Sequence, residues 1–442
     1  MPIEICTIGG FSRTEGNSVA IKVDDEVLLL DMGLGMEDFI KHQEDREDVR
    51  GKLTYKELQR VNAVPNYDHI NDWKDLVIGI VPSHGHLDHV GAIPFAATLF
   101  PTAPIVSTPY TIEVLRSILW DEHLELSNDI ITVPLNKTHK FSEKISVEFV
   151  NVTHSIPHTA ILVVHTPYGK VMYANDYKFD RTPVLGKKPN FERLAELEGV
   201  DILIINCLYA HAHRKCPSES VAREMLKDVM LNQNCEDRGM IVTTFSSHLA
   251  RLKSIIEMDK KMNRKIVFIG RSLDKYVRAA ERINLVHFTD DIIMVRHRDK
   301  INKIFRKMEK DGREKYLIVC TGHQGEKRAV LSRLMRGELD FKFRDGDIVV
   351  FSCRVIPVEV NKVNRERLEN GLRAKNVRIF KDLHVSGHAA LEDHRDMLEL
   401  VKPKNIIPIH AENEKAQMLA DFAKKIGFKK TFVAKDGERF SF

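Results

Sequence analysis

The sequence predicts an α/β protein with two hydrophobic cores, and three observations predict it. The chain has 442 residues, 43% of them hydrophobic and 29% charged, enough apolar material for two ordinary domains. Apolar runs of strand length repeatedly end in polar loops that open helices. Between Gly239 and Glu326 three strand-loop-helix units follow one another, which indicates a parallel sheet with helical crossovers.

Composition removes several classes of protein. The six cysteines (Cys6, Cys207, Cys216, Cys235, Cys320, Cys353) include no Cys-x-x-Cys pair, which argues against a disulfide framework or a thiolate zinc site and for a reducing, cytoplasmic compartment. No signal-peptide pattern and no run of about 18 apolar residues occurs, so neither export nor membrane insertion is expected. Lys and Arg number 67 against 63 Asp and Glu, a balance that neither demands nor excludes a polyanionic partner.

Taken in order, Ile3 to Ile8, Ser18 to Lys22 and Glu26 to Leu30 read as short strands, the third ending at Asp31. Met36 to Lys74 is dense in charge, with Glu44 to Asp48 all charged, and reads as a surface insertion with partial helix. The apolar run Leu76 to Val81 is a buried strand that ends in Ser83-His84-Gly85-His86-Leu87-Asp88-His89, and a helix opens at Asp88. Open α/β sheets place their sites at strand carboxyl ends. His84 and His86 alternate and can point into one pocket, while Asp88 and His89 reach a second position, an arrangement that suits two nearby metals.

Further strands carry ligand-type residues at the same end. Ile145 to Val150 delivers His154, Lys170 to Ala174 delivers Asp176, and Lys404 to Ile409 delivers His410. Such repetition implies convergence on one shared site. Asp201 to Ile205 is another buried strand, followed by Asn206, and Pro217 to Asn232 is helical.

The His-x-His-x-Asp-His loop after a hydrophobic strand resembles the signature of the metallo-β-lactamase fold. With the strand-loop-helix block placed late in the chain, then His384-Val385-Ser386-Gly387-His388 and Pro408-Ile409-His410, the sequence resembles the β-CASP group of nucleases, and within it ribonuclease J. The resemblance spans nearly the whole chain and includes Thr244-Phe245-Ser246-Ser247 and Thr321-Gly322-His323-Gln324-Gly325-Glu326. A C-terminal extension and N-terminal RNA-binding domains are not seen, which points to the compact archaeal kind. The implied fold is an αββα sandwich with an inserted β-CASP domain, residues 1–208 and 376–442 forming the former and 209–375 the latter.

The resemblance also implies roles. One divalent metal would sit on His84, His86, His154 and Asp176, the other on Asp88, His89, Asp176 and His410, with Asp176 as the bridge and Asp31 supporting the metal loop from behind. Together they would lower the pKa of a bridging water and clamp the scissile phosphate. Zinc suits imidazole and carboxylate ligands, with manganese the alternative. His388 is the candidate for protonating the leaving oxygen. Ser246, Ser247, His384 and Ser386 would bind a 5′ phosphate, with helix capping the alternative for Ser246 or Ser247. Apart from the resemblance, basic residues of the inserted domain such as Arg251, Lys253, Arg271 and Arg328 are candidates to track the RNA backbone, with plain solvation the alternative for many of them.

The implied activity is 5′ to 3′ exonucleolysis of single-stranded RNA, with an endonuclease, a small-molecule hydrolase and a non-catalytic RNA-binding scaffold as the competing readings. A homodimer and other RNA-decay proteins are the implied partners. Two positions depart from the group's pattern. Asn206 stands where an acid is usual, which puts a charged supporting role there in doubt, and His158 replaces another frequent acid and reads as supporting or structural.

Overall fold

The computed structural model describes residues 3–45, 53–232, 237–356 and 359–442. Cys235 and the Arg46-Glu47-Asp48 part of the charged run lie outside the described residues. The chain divides into two compact units, one of Met1–Arg181, Gly186–Cys216 and Gly387–Phe442, the other of Thr182–Leu185 and Pro217–Ser386.

The first unit is built on two sheets. One has seven strands in the order Arg439–Ser441, Ile3–Gly9, Ser18–Val23, Glu26–Leu30, Val77–Val81, Ile105–Ser107 and Ile130–Thr132. The other has six, in the order Asn405–Ile409, Ile202–Asn206, Gly169–Ala174, Ala160–Thr166, Ser146–Asn151 and Thr138–Lys140. Alternation along the strands explains why their sequences are apolar throughout. Leu162, Val164, Ile202, Ile204, Ile407 and Ile409 turn to the core shared with Ile5, Val19, Leu28 and Val81 of the first sheet. Their neighbours Ile161, Val163, Leu203, Ile205 and Ile406 turn the other way and pack with Met397, Leu398, Val401, Leu419 and Ala423. Those last residues belong to helices Leu391–Val401 and Asn413–Lys425, so the second sheet is buried on both faces. The architecture is the αββα sandwich.

Two features differ from the sequence reading. The central antiparallel strand Ala160–Thr166 ends in no ligand, and the ligand-bearing pattern does not mark it. The segment after Met36 is more than surface. Helix Tyr55–Arg60 and the 3₁₀ stretch Tyr67–Leu76 bury Leu58, Tyr67, Ile70 and Trp73, and Tyr67 Oη lies 3.1 Å from Ser18 Oγ. Aromatic residues interspersed in the charge are what anchor it.

The second unit is a six-stranded sheet in the order Ile293–Val295, Lys265–Ile269, Tyr316–Cys320, Met240–Thr243, Ile348–Phe351 and Arg378–Phe380. Every pairing in it is parallel. Its central strands, Ile241, Val267, Ile318 and Val349 among them, fill one core with Phe305, Leu331 and Leu368. The described cysteines Cys6, Cys207, Cys216, Cys320 and Cys353 are buried and form no disulfide with one another. Among the described residues no helix is long and apolar enough to cross a membrane.

Helix Leu249–Met262 carries one unfavourable group. Asp259 is 3% exposed, its Oδ1 has no hydrogen-bond partner, and burial, only partly offset by Arg264, pushes its carboxyl up to about 7. Because the folded value lies above the ordinary 3.8, the unfolded chain ionises first as pH rises. The second unit is therefore expected to lose stability as pH climbs from about 4 through about 7. Melting temperatures followed by circular dichroism across that range check it, and Asp259→Asn should flatten this part of the profile.

Candidate metal centre

The carboxyl ends of six strands of the first unit meet at one place. Asp31 follows strand Glu26–Leu30 with φ +58°, a conformation Asp tolerates better than most residues. Its buried carboxylate accepts four hydrogen bonds: Ser83 N at 2.6 Å on Oδ1, and Ser83 Oγ at 3.0 Å, His89 Nδ1 at 2.7 Å and Tyr173 Oη at 2.8 Å on Oδ2. The next residues clasp the metal loop backbone to backbone. Met32 N donates to His89 O, Leu34 N to Leu87 O, and Ala92 N to Met32 O. A Cβ on Gly33 would lie 1.7 Å from Asp88 O, so only glycine fits there.

Three of the histidines, His84, His154 and His410, converge with their inward nitrogens unprotonated. His84 Nδ1 donates to Ser83 Oγ at 3.0 Å, and that hydroxyl in turn donates to Asp31 Oδ2. His154 Nδ1 donates to Gly387 O at 2.7 Å, and His410 Nδ1 to Asn17 Oδ1 at 3.1 Å. With each outer nitrogen donating, the inner one presents a lone pair, as metal-ligating imidazoles do. Burial lowers the pKa of His84 and His86, and takes His154 and His410 down to about 4. These four rings are neutral donors at neutral pH. At His89 burial acts the same way, but the charges of Asp88, Asp31 and Asp176 outweigh it and raise the ring well above its ordinary value. Burial opposes ionisation of Asp88 and Asp176, yet the surrounding imidazoles hold both below the usual carboxylate range.

Two ligand sets emerge. His84 Nε2 and His154 Nε2 each lie 3.1 Å from His86 Nδ1, and 3.4 and 3.2 Å from Asp176 Oδ2. Four ligands about 2.0 to 2.1 Å from a tetrahedral zinc are separated by about 3.3 to 3.4 Å, so this set has the dimensions of a zinc site. Asp88, His89 and His410 form the second group. His89 Nε2 lies 3.4 Å from Asp88 Oδ2 and 3.5 Å from Asp176 Oδ2, while His410 Nε2 is 3.7 Å from Asp176 Oδ1. Asp176 therefore faces both groups. The donor set fits a pair of divalent cations.

His388 stands beside them. Its Nδ1 is 3.5 Å from Asp176 Oδ1 and its ring stacks on His410 at 5.4 Å. It also groups with Asp176 and His410 as a potential metal ligand. Its side chain is 21% exposed, against 0% for His84, His89 and His154.

Asn206 ends strand Ile202–Asn206. Its Oδ1 accepts from Leu208 N at 2.9 Å, which fixes the amide so that Nδ2 donates to Asp176 Oδ1 at 3.0 Å. The amide thus supports Asp176 without adding charge. His158 is not in the cluster. It sits at the start of helix Pro109–Glu122, where Tyr110 N donates to its Nδ1 at 3.4 Å, and burial lowers it to about 4. Two supporting residues carry no motif. Asn17, besides holding His410, donates to Asp88 O at 3.1 Å, and Tyr173 joins the second sheet to Asp31. A polar residue in Gly16-Asn17-Ser18, directly before an apolar strand, is the only sequence signal for the first.

The four residues expected at an RNA 5′ end belong to the second unit. Ser246 and Ser247 are half-buried between strand Met240–Thr243 and helix Leu249–Met262, at the carboxyl edge of the sheet. The helix is capped by His248, whose side chain accepts from Arg251 N at 3.2 Å, so capping does not account for the serines. The Phe245 ring lies 6.4 Å from that of His384, which is half-buried, and Ser386 is buried. Arg251 corrects the sequence reading. It is fully buried, pairs through Nε and Nη2 with Glu219 at 2.6 and 2.9 Å, and donates to Leu383 O at 3.0 Å, so it cannot face RNA. Lys253 donates to Val184 O, while Arg271 and Arg328 are exposed.

Sandwich, parallel-sheet unit and paired His/Asp clusters together define a metallo-hydrolase of the metallo-β-lactamase fold with a β-CASP domain. Comparisons agree. Residues 237–368 match the family described as ribonuclease J, beta-CASP domain, and 375–434 match the Zn-dependent metallo-hydrolase RNA specificity domain. Ribonuclease J of Pyrococcus abyssi is 40% identical over 98% of this chain and 96% of its own. Ribonuclease J of Methanocaldococcus jannaschii is 40% identical over 97% and 96%. A crystal structure of a protein of unknown function from Enterococcus faecalis V583 covers 99% of both chains with a TM-score of 0.68 at 16% identity, a likeness of fold alone. The chain belongs to the ribonuclease J family, and it is a ribonuclease.

Replacing Asp31 by Asn tests the support beneath the cluster. An amide cannot accept on both sides, so Ser83 N or the three donors on Oδ2 would meet an NH₂ group. The variant is expected to lose about 3 kcal/mol or more of stability and to retain less metal after dialysis. Denaturant titration together with elemental analysis reads both.

Proposed function

We propose that the chain is a 5′ to 3′ exoribonuclease that releases mononucleotides from RNA bearing a 5′ monophosphate, using two zinc ions. His84, His86, His154 and Asp176 would hold one ion, and Asp88, His89, Asp176 and His410 the other. When bound, such a pair supplies positive charge at the scissile phosphate and makes water a nucleophile near neutral pH. The inward lone pairs of His84, His154 and His410, each fixed by an outward hydrogen bond, are the observation that carries this reading.

The chain's own groups divide the remaining work. Asp176 turns Oδ2 to His84, His89 and His154, and Oδ1 to His388, His410 and Asn206. His388, more exposed than its neighbours, can reach a substrate and deliver a proton to the leaving 3′ oxygen. Asp31 keeps the loop in register behind them. The hydroxyls of Ser246, Ser247 and Ser386 and the imidazole of His384 offer a small anion several donors beside a helix start. The family match at 237–368 supports reading 209–375 as the β-CASP domain, with 1–208 and 376–442 as the metal-bearing one, while compactness groups 209–216 with the first unit and 376–386 with the second. The homodimer, the cytoplasmic setting and the other RNA-decay proteins implied by the resemblance accompany this reading, and light scattering of the purified protein tests the first.

Elemental analysis should find two divalent ions per chain. His86→Ala should lower that number and abolish hydrolysis while the circular dichroism spectrum is unchanged. A fully active protein without bound divalent metal would falsify the metal assignment.

End-labelled RNAs with 5′ monophosphate, hydroxyl and triphosphate ends test direction. Mononucleotides released fastest from the monophosphate are expected. Ser247→Ala should narrow the preference over the hydroxyl end by about 1 to 3 kcal/mol, roughly 5- to 150-fold, because a charge-assisted hydrogen bond is lost. Equal rates on all three ends, or internal fragments as the main product, would replace the exonuclease reading with the endonuclease one.

A further inference from the structure

Helix Arg298–Asp311 follows edge strand Ile293–Val295 of the parallel sheet, and its residues Ile301, Phe305 and Met308 are buried in the core of that unit. Lys300, Lys303, Lys307 and Lys310 are all exposed. At about 100° per residue these four fall within an arc of about 80° on the side opposite Phe305, along about 15 Å of helix.

None of the four lysines makes an ion pair among the described residues, which sets this helix apart. Elsewhere basic side chains are matched one turn away by acids: Arg116 with Glu113, Lys227 with Glu224, Lys362 with Glu359 and Lys415 with Glu412. Here the nearby acids are engaged differently. Glu309 pairs with Arg313 and Arg344, and Asp311 accepts from Tyr316 Oη at 2.8 Å. Asp299 stands four residues before Lys303, and Asp311 four after Lys307, whose charge adds to the Tyr316 hydrogen bond in lowering the Asp311 carboxyl. Neither acid forms an ion pair with the row among the described residues, and Arg306 pairs with Asp340. Like charges three and four residues apart repel and weaken a helix. The sequence nevertheless keeps three such neighbour pairs in one row, on an element whose other face is needed for the core.

We propose that this lysine row binds the phosphate backbone of single-stranded RNA, as a surface additional to the residues assigned above. The complement is one of charge: the family acts on RNA, a regular polyanion, and a row of flexible ammonium groups can neutralise successive phosphates. The row contains no aromatic residue to stack on bases, so the binding carries no sequence preference. It adds affinity for long RNA and leaves the chemistry of cleavage unchanged. The inference rests on the family's RNA substrate and not on the 5′-end reading.

The test is a full-length variant with all four lysines replaced by Ala, a change that favours the helix. Fluorescence anisotropy in EDTA measures binding of unstructured RNAs of about 30 and about 4 nucleotides at several salt concentrations. Four lost phosphate contacts at about 0.7 each should reduce the salt slope for the long RNA by roughly 3. The fall in affinity between 50 and 200 mM salt should then be roughly 50-fold smaller than in the parent. Binding of the short RNA, and metal-dependent hydrolysis of bis(p-nitrophenyl) phosphate, should not change. Lys300→Ala with Lys303→Ala, and Lys307→Ala with Lys310→Ala, should each give about half the effect, which guards against a misfolded quadruple variant. An unchanged slope with the long RNA overturns the proposal. So does equal weakening with the short RNA, or loss of binding to anionic phospholipid vesicles with RNA binding intact.

Discussion

The geometry of the metal centre depends on one buried carboxylate. Asp31 accepts hydrogen bonds from His89 Nδ1, Ser83 Oγ and Tyr173 Oη on one oxygen and from the backbone N–H of Ser83 on the other. Ser83 begins the metal loop, His89 ends it, and Tyr173 rises from the other sheet. A single group thus sets the loop's two ends and ties the sheets at their carboxyl edge. A buried carboxylate is costly unless its lone pairs are filled, and here the groups that fill them are those whose orientation matters for binding metal. Stability and function coincide at this residue.

The electrostatics follow from that frame. Burial keeps His84, His86, His154 and His410 neutral, while Asp88 and Asp176 stay ionised, so the donor set presents lone pairs and two negative charges. An acid in place of Asn206 would put a third carboxylate about one hydrogen bond from Asp176, where like charges raise one another's pKa. The amide avoids this. It donates to Asp176 while its oxygen is satisfied by Leu208 N, so the departure from the group's pattern preserves a hydrogen bond and omits a charge. The support beneath Asp176 is kept although the charge is not.

Most of the centre was legible because its parts obey strong local rules. Four strands announce themselves as apolar runs, and each delivers a ligand-type residue within a few positions of its end. What escaped obeys no local rule. Asn17 is an ordinary polar residue in a loop until the fold carries it beside Asp88, 71 positions away, and His410, 393 positions away. Strand Ala160–Thr166 is as apolar as its neighbours but carries no chemistry that would single it out. Aromatic side chains override the charge of the segment around Tyr67 and Trp73, and burial overrides the charge of Arg251. In each case a tertiary partner, invisible in the sequence, decides the role.

Arg251 shows how such an override serves the second unit. A guanidinium at 0% exposure is tolerable only when its donors are filled, and Glu219, the Ser352 carbonyl and hydroxyl, and the Leu383 carbonyl fill them. The last of these lies one residue before His384, and Ser352 Oγ also donates to it at 2.9 Å. The same arginine sits in the first turn of the helix that Ser246 and Ser247 precede. Its charge is therefore turned inward, where it pins the two segments that carry the proposed 5′-phosphate donors. On the proposed function, recognition of that phosphate would be left to hydroxyls, amides and imidazole, groups that favour a small anion without the long-range pull of an exposed cation. On the same reading, long-range attraction for the RNA chain would come from exposed, unpaired cations, of which the row proposed on helix Arg298–Asp311 is one set.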